Sequence, residues 1–376
     1  MYLKPPAVAA FELDTYAYLD KLITQNEVAC DWKTVGGVHP IKSRQLLAII
    51  KTRMEELAKH APDLAAQVEV IDDDAERLKE LRVVGAAGAV YQTCAAKCWP
   101  YKLVAWILEE LIREEEVARQ ASDGETLFNL QTNTPVTALQ RLDDGSWTVQ
   151  TPRGHVRAKN VLLATNAYTS HLLPHMVELI VPVRGQVSAL ARPSNGVQLQ
   201  HSYGWIDHGG GDNYLIHRDE GDDGGPLIFG GERLVAKGHE VGISRDDVVN
   251  EDVAQALRRT LHGALRLKEN EEEEEEEELK AEYEWTGIMG YSKDEHPWVG
   301  AVPESLGGGQ GLWMSAGYTG HGMPVAARTG IAVAEMILGI DDREGAVKLP
   351  DEYLIHEERI KGEAVKELDT LDPRSI

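Results

Sequence analysis

Cysteine is scarce in this sequence. The chain has 376 residues and three cysteines, Cys30, Cys94 and Cys98, which is too few for the disulfide framework of a small secreted protein. We therefore expect a reducing, cytoplasmic compartment. Cys94 and Cys98 lie close together, but no second cysteine or histidine pair completes a tetrahedral zinc site, so no metal is predicted.

Long apolar runs and an excess of basic residues are also missing. A transmembrane helix needs about 20 apolar residues, and no such run exists. Residues 1–20 carry acidic and polar side chains where a secretory signal peptide needs an apolar core. The chain has 38 Lys and Arg against 62 Asp and Glu, a formal net charge of -24. Nucleic acids and anionic membranes bind clusters of Lys and Arg, so the composition excludes both as expected partners.

Part of the negative charge is concentrated in one run, Glu271 to Glu278. A block of like charges repels itself and stays solvated, so we expect a disordered acidic loop over residues 269–278. A docking site for a basic partner is the alternative. The rest of the composition, with 43% apolar and 27% charged residues, is typical of a globular chain long enough for two domains.

The order of the predicted elements indicates a mixed α/β protein. Apolar residues at helical spacing predict helices over residues 6–25, 43–61, 74–81, 99–116, 246–267 and 324–338. Alternating or continuous apolar runs predict strands over residues 34–38, 128–134, 137–142, 147–151, 155–158, 161–165, 186–190, 203–206, 214–217, 227–229, 283–289 and 312–316. The strands between residues 128 and 158 suggest a small antiparallel meander.

A glycine-rich turn joins the last predicted strand to the last predicted helix. It reads Gly317-Tyr318-Thr319-Gly320-His321-Gly322-Met323-Pro324. Glycines let the backbone approach a ligand closely, and a following helix points its amino-terminal amides at the same place. The sequence therefore predicts a ligand site at this turn.

A second motif, Ala164-Thr165-Asn166-Ala167-Tyr168, follows the continuous apolar run Val161–Leu163. Such a run is typical of a strand in a parallel sheet, and ligands bind outside the carboxyl ends of these strands. A plain loop with Asn166 as a turn residue is the alternative. The weaker motifs are Pro182-x-Arg184-Gly185-Gln186, Trp285-x-Gly287 and Asp294-x-x-Pro297-x-x-Gly300.

In this order the motifs closely resemble those of FAD-dependent oxidoreductases of the D-amino-acid oxidase, sarcosine oxidase and gamma-glutamylputrescine oxidase group, over about residues 2–340. The resemblance implies an FAD-binding domain interleaved with a substrate domain that contains a mixed or antiparallel sheet. It places the substrate domain at residues 1–90 and 186–286, the remainder of the FAD-binding domain at 91–185 and 287–340, and a C-terminal tail at 341–376.

The resemblance also implies contacts with the cofactor. Val136 is expected near the adenine, and Ala164, Thr165 and Asn166 near the ribityl chain and pyrophosphate. Gly287 and the turn from Gly317 to Pro324 are expected at the flavin ring. No cysteine lies between residues 284 and 300, where some relatives attach their flavin, so FAD is expected to bind non-covalently.

Candidate catalytic residues are His321, Arg184 and Tyr214. His321 lies in the turn and is expected to touch the flavin or the substrate, or else to be a histidine bonded only to the protein. Arg184 is a candidate clamp for a substrate carboxylate, with a surface or interdomain ion pair as the alternative. Tyr214 lies on a predicted substrate-domain strand, as do the weaker candidates Arg218 and Glu232.

The front of the sequence departs from the family. Members begin with a strand and Gly-x-Gly-x-x-Gly opening a helix, whereas Met1 to Pro5 resembles the point just beyond that unit. Gly85-Ala-Ala-Gly88 is followed by a strand-like run, so we predict a turn of the substrate domain there. Without the missing unit, the strand at Val161 is expected to expose an apolar edge.

The resemblance implies oxidation of the C–N bond of an amine or amino acid. Hydride would pass to flavin N5, with O2 as the electron acceptor. The alternative is a catalytically silent, truncated remnant that acts as a binding or interaction protein.

Overall fold

The computed structural model describes residues 4–121, 128–205, 213–219, 224–269 and 278–362. The helices in these stretches are α1 (Pro6–Gln25), α2 (Arg44–His60), α3 (Pro62–Ala65), α4 (Ala75–Glu80), α5 (Pro100–Ala121), α6 (Thr169–Leu172), α7 (Glu251–Thr260), α8 (Ala326–Leu338) and α9 (Glu357–Ile360). The strands are β1 (Lys33–Thr34), β2 (Gly37–Ile41), β3 (Val68–Asp72), β4 (Gly88–Gln92), β5 (Ala96–Lys97), β6 (Ala138–Arg141), β7 (Trp147–Thr151), β8 (Gly154–Ala158), β9 (Val161–Leu163), β10 (Ile180–Leu190), β11 (Ser202–Gly204), β12 (Tyr214–His217), β13 (Leu227–Gly230), β14 (Ala281–Ser292), β15 (Trp298–Ala301) and β16 (Leu312–Ala316).

The largest sheet is built from two separated parts of the chain. Its eight strands lie in the order β14-β10-β13-β12-β11-β2-β4-β3. Adjacent strands are antiparallel, except for β11 and β2, which are parallel. One face is buried: Tyr203, Leu215 and Phe229 pack in one core with Leu257 of α7. This is the mixed sheet that the sequence predicted.

A smaller sheet has the order β15-β16-β9, in which β16 and β9 are parallel. β9 has a neighbour on one side only among the described strands, and Leu162 on it is 40% exposed. This agrees with the exposed apolar edge expected from the sequence. Helix α1 packs near this sheet, because its Val8 and Phe11 share a core with Val299 of β15. Val325, just before α8, and Val333 within α8 belong to the same core.

The predicted C-terminal tail is packed onto the fold over residues 341–362. Arg359 is 4% exposed, and its guanidinium binds Asp294 at 2.7 Å and lies 3.8 Å from the centroid of a Trp298 ring. Tyr353 is also buried, in the core shared with α1. No described helix combines the length and apolar character needed to cross a membrane.

Several predicted elements differ from the structure. Residues 128–134 form no strand, and Asn133 there adopts a left-handed φ of 50°, which interrupts extended backbone. The helix predicted over 246–267 is shorter, because the Asn250 side chain accepts from the amides of Asp252 and Val253 and caps α7 at its start. Because residues 128–134 form no strand, the antiparallel meander consists of β6, β7 and β8. The acidic stretch 270–277 and position 206 of a predicted strand lie outside the described residues.

Candidate functional site

The two strongest sequence motifs meet in the structure. Asn166, just beyond β9, accepts hydrogen bonds through Oδ1 from the amides of Gly317 at 3.0 Å and Tyr318 at 3.3 Å. Because β9 and β16 are parallel neighbours, their carboxyl ends lie at the same edge of the sheet. Asn166 therefore ties the strand end to the glycine turn, defined here as Gly317–Pro324.

The amides of the glycine turn are not all available to a ligand. Those of Gly317 and Tyr318 are used by Asn166, and the Thr319 amide donates to the Gly290 carbonyl at 2.7 Å. Within the described stretches, the amides of Gly320, Gly322 and Met323 donate to no protein acceptor. Asn166 thus satisfies the first two amides of the turn, and the contacts of Gly317 to Pro324 with a flavin stay predictions.

The helix after the turn begins later than predicted. α8 starts at Ala326 rather than at Pro324, and Val325 is its N-cap. The amides of Val325 and Ala326 both donate to the Gly322 carbonyl, at 3.1 and 2.8 Å. The donors at the turn are therefore loop amides, and the helix end lies behind them.

A row of glycines lines the face of the large sheet opposite its core. Gly185 and Gly287 are direct partners in the β10–β14 register, and residues opposite each other in a ladder point to the same face. In the next row Gly204 pairs with Tyr214, Tyr214 with Gly230, Gly230 with Val187 and Val187 with Trp285. We call this face the glycine floor: Gly185, Gly204, Gly230 and Gly287 with Tyr214, Trp285 and Met289.

The glycine floor is open over part of its area. A Cβ added at Gly287 would meet no atom within 4 Å, and Tyr214 and Trp285 are 44% and 43% exposed. By contrast the Tyr214 ring already covers Gly230, where an added Cβ would lie 2.6 Å from Cε1. A backbone surface without Cβ atoms is suited to close contact with a flat ring.

The floor borders the glycine turn. A Cβ added at Gly320 would lie 3.3 Å from Met289 Sδ and 3.3 Å from Tyr291 Oη, and both side chains belong to β14. The Thr319 hydroxyl also accepts from the amide of Ser292 at 3.0 Å. The glycine turn and the floor therefore meet at Gly320.

His321 is held by a residue that the sequence analysis missed. Its Nε2 donates to Oε1 of Glu12 at 2.9 Å, and Glu12 also pairs with Lys4. Burial alone would raise the pKa of Glu12, but the hydrogen bond from His321 and the charge of Lys4 outweigh it, so the pKa lies well below its usual range. The available signal was the position of Glu12 on the apolar side of α1, next to Phe11.

The other candidate side chains are largely engaged within the protein. Arg184 pairs through Nε with the buried Glu240 and donates through Nη1 to the Val248 carbonyl at 3.1 Å. This is the ion pair left open in the sequence analysis. Arg218 stacks 4.3 Å from the centroid of a Trp99 ring, and Glu232 accepts from Asn213 Nδ2 at 2.6 Å. Their roles toward a substrate stay predictions.

Three further residues expected along the cofactor, Val136, Ala164 and Thr165, belong neither to the glycine turn nor to the floor. Val136 is in the irregular segment before β6, and Ala164 is exposed directly after β9. The Thr165 hydroxyl bonds to that of Thr169 at 2.9 Å. Their contacts with adenine, ribityl chain and pyrophosphate stay predictions. Among the residues that the structure describes, no group of His, Cys, Asp or Glu side chains is arranged to hold a metal ion.

Comparison with known proteins agrees with this architecture. A model of the family described as FAD dependent oxidoreductase matches residues 1–336. A probable oxidoreductase OrdL of Haemophilus influenzae is 23% identical over 357 residues, covering 91% of this chain and 70% of that protein. A gamma-glutamylputrescine oxidoreductase of Escherichia coli is 24% identical over 325 residues, covering 85% of this chain and 65% of that protein.

Solved structures share the fold. Glycine oxidase from Geobacillus kaustophilus superposes with a TM-score of 0.66 at 20% identity, covering 94% of this chain and 84% of that one. L-proline dehydrogenase from P. horikoshii superposes with a TM-score of 0.64 at 18% identity, covering 96% of this chain and 86% of that one. The family match spans most of the sequence, and the structural matches have the same architecture. This chain belongs to the FAD dependent oxidoreductase family.

Proposed function

We propose that this chain takes part in the oxidation of the C–N bond of an amine or amino acid, with non-covalently bound FAD as cofactor. The observation that carries the proposal is that the glycine turn, whose amides at Gly320, Gly322 and Met323 donate to no acceptor in the described stretches, borders the floor where Gly320 lies beside Met289. These groups fit the ring of a flavin, since glycine permits close approach and amides match its polar edge.

FAD, when bound, supplies the hydride acceptor at its N5 atom, and we propose O2 as the final electron acceptor. The chain's own residues bind and orient the amine. Tyr214 and Trp285 provide exposed aromatic surface on the floor, which attracts a cationic or apolar amine and excludes water. Arg184 is already paired with Glu240, so clamping a substrate carboxylate would require it to exchange that partner.

The proposal is tested by titrating the purified chain with FAD and following the quenching of flavin fluorescence. We expect saturable binding, followed by loss of the visible flavin absorbance when an amine substrate is added without oxygen. Gly287→Val should weaken FAD binding by about tenfold or more, because its methyl groups would occupy the open floor.

Tyr283→Val is the matched control, because Tyr283 lies on the same strand, is 74% exposed and is farther from the glycine turn. It should leave FAD binding unchanged. A folded wild-type chain that does not bind FAD contradicts the proposal and favours the alternative of a silent binding protein. Equal effects of the two variants on FAD binding would show that the floor is not part of the FAD site.

A further inference from the structure

Helix α1 carries one buried carboxylate, Glu12. The residue is 9% exposed and lies on the side of the helix that packs against Val325 and Val333 through Phe11. A carboxylate taken out of water is costly unless charged or hydrogen-bonding partners compensate it. Its partners therefore indicate why it is there.

Both partners of Glu12 are donors. Oε1 accepts from Nε2 of His321 at 2.9 Å, across 309 positions of sequence, and Lys4 Nζ donates to the same oxygen. The His321 side chain is still 52% exposed, and its Nδ1 has no hydrogen-bond partner in the described part of the chain. Nε2 of the ring is thus held by Glu12, and Nδ1 is available to a ligand.

We propose that Glu12 is a positioning residue that selects the Nε2–H tautomer of His321, so that Nδ1 is the hydrogen-bond acceptor that His321 offers to an N–H group in the site. The inference rests on the proposed function for the identity of that group. An N–H donor at this place has two sources: the ammonium or amine of a substrate, or the ring imide of the flavin.

The protonation states support this arrangement. Glu12 stays ionised because its pKa is lowered, so it can only accept. Partial burial and the charge of Lys4 lower the pKa of His321, while the bond to Glu12 raises it, and the net direction is downward. The imidazole is therefore neutral near pH 7, and a neutral imidazole that donates from one nitrogen accepts at the other.

The surrounding charges do not reverse this state. On β2, the pKa of His39 is lowered to about 4, chiefly by burial, so this second histidine is neutral as well. Arg328 of α8 is paired at 2.7 Å with Asp14, which lies two residues after Glu12 on α1. Among the described residues, Glu12 contacts His321 directly and Lys4 acts on it by its charge.

The first measurement is the tautomer of His321 by long-range ¹⁵N–¹H NMR on the full chain, with the signal assigned through His321→Asn. We expect a protonated Nε2 and an unprotonated Nδ1 in the wild type. Glu12→Gln has nearly the same shape, but its amide can accept or donate. We expect this variant to show a mixture of both tautomers and a lower His321 pKa, because the contribution of Glu12 is lost.

Asp14→Asn on the same helix is the matched control, and it should leave the His321 signals unchanged. A merely structural contact would alter the unfolding midpoint in Glu12→Gln without altering the tautomer. A mixed tautomer in the wild type, or an unchanged one in Glu12→Gln, overturns the inference. Both outcomes are readable without FAD, so they are independent of the proposed function.

The second measurement separates the two sources of the N–H group. The Nδ1 signal is followed while FAD alone is added, and in another sample while butylamine is added. A shift with FAD identifies the flavin imide, and a shift with butylamine alone identifies the substrate nitrogen; either supports the proposal. No shift with FAD bound and butylamine present shows that Nδ1 meets neither donor, and it overturns the proposal.

Discussion

At the scale of single residues, the junction of the two motifs depends on a glycine of β14. A Cβ added at Gly290 would lie 2.7 Å from Asn166 Oδ1 and 2.9 Å from the Ala167 amide nitrogen. Asn166 itself has a left-handed φ of 43°, which asparagine tolerates better than most residues. The missing side chain at Gly290 thus lets Asn166 reach the amides of the glycine turn.

Gly290→Ala should therefore destabilise the protein, by about 1–3 kcal/mol, because backbone and a fixed side chain must move. Gly287→Ala on the same strand is the control, since its Cβ would meet no atom within 4 Å, and it should be near neutral. The free energy of unfolding in urea measures both. Equal stability of the two variants would show that Asn166 is not tightly seated.

At the scale of elements, β12 is joined to its surroundings by a buried histidine. His217 is 1% exposed, its Nδ1 accepts from the amide of Leu199 at 3.0 Å and its Nε2 donates to the Gly225 carbonyl at 3.1 Å. Both bonds need the neutral ring, because a proton on Nδ1 would face an N–H group. Burial accordingly lowers the pKa of His217 to about 4.

This pKa shift predicts a dependence of stability on pH. Between the unfolded His217 pKa of 6.5 and the folded pKa of about 4, the unfolded chain binds a proton at His217 and the folded chain does not. The free energy of unfolding therefore falls as the pH falls through this window. The contribution reaches up to about 1.4 kcal/mol per pH unit. Urea unfolding at several pH values should give a smaller slope in His217→Gln than in the wild type. The exposed His171→Gln is the control, and an unchanged slope in His217→Gln would contradict the prediction.

At the scale of the whole molecule, the net charge of -24 opposes the compact state by self-repulsion. Added salt shortens the screening length from about 10 Å at 0.1 M to about 3 Å at 1 M, so the free energy of unfolding should rise with salt. Replacing Glu271 to Glu278 by glutamine removes eight charges and should reduce this salt effect. The same replacement by aspartate keeps the charge and is the control. A salt effect in the glutamine variant equal to that of the wild type would show that the repulsion comes from charges outside this run.

The sequence by itself determined the features that depend on neighbouring residues. The apolar period of α1, the Ser43 cap of α2, the buried run of β16 and the glycines of the turn are local, and the structure contains them. The order of the motifs also identified the family. Where local rules competed, as at Asn133 and Asn250, the boundaries were wrong, because one φ angle or one cap overrides a periodic pattern.

Only the tertiary structure decided which groups face the site. The pairing of Gly185 with Gly287 depends on strand register, and a slip of β14 by one residue would turn Gly287 to the opposite face of the sheet. The contact of Glu12 with His321 and the capture of two turn amides by Asn166 join residues far apart in the chain. No spacing rule connects such pairs, because their distance is set by the packing of α1 in one core and of β9 with β16 in another rather than by their position in the sequence.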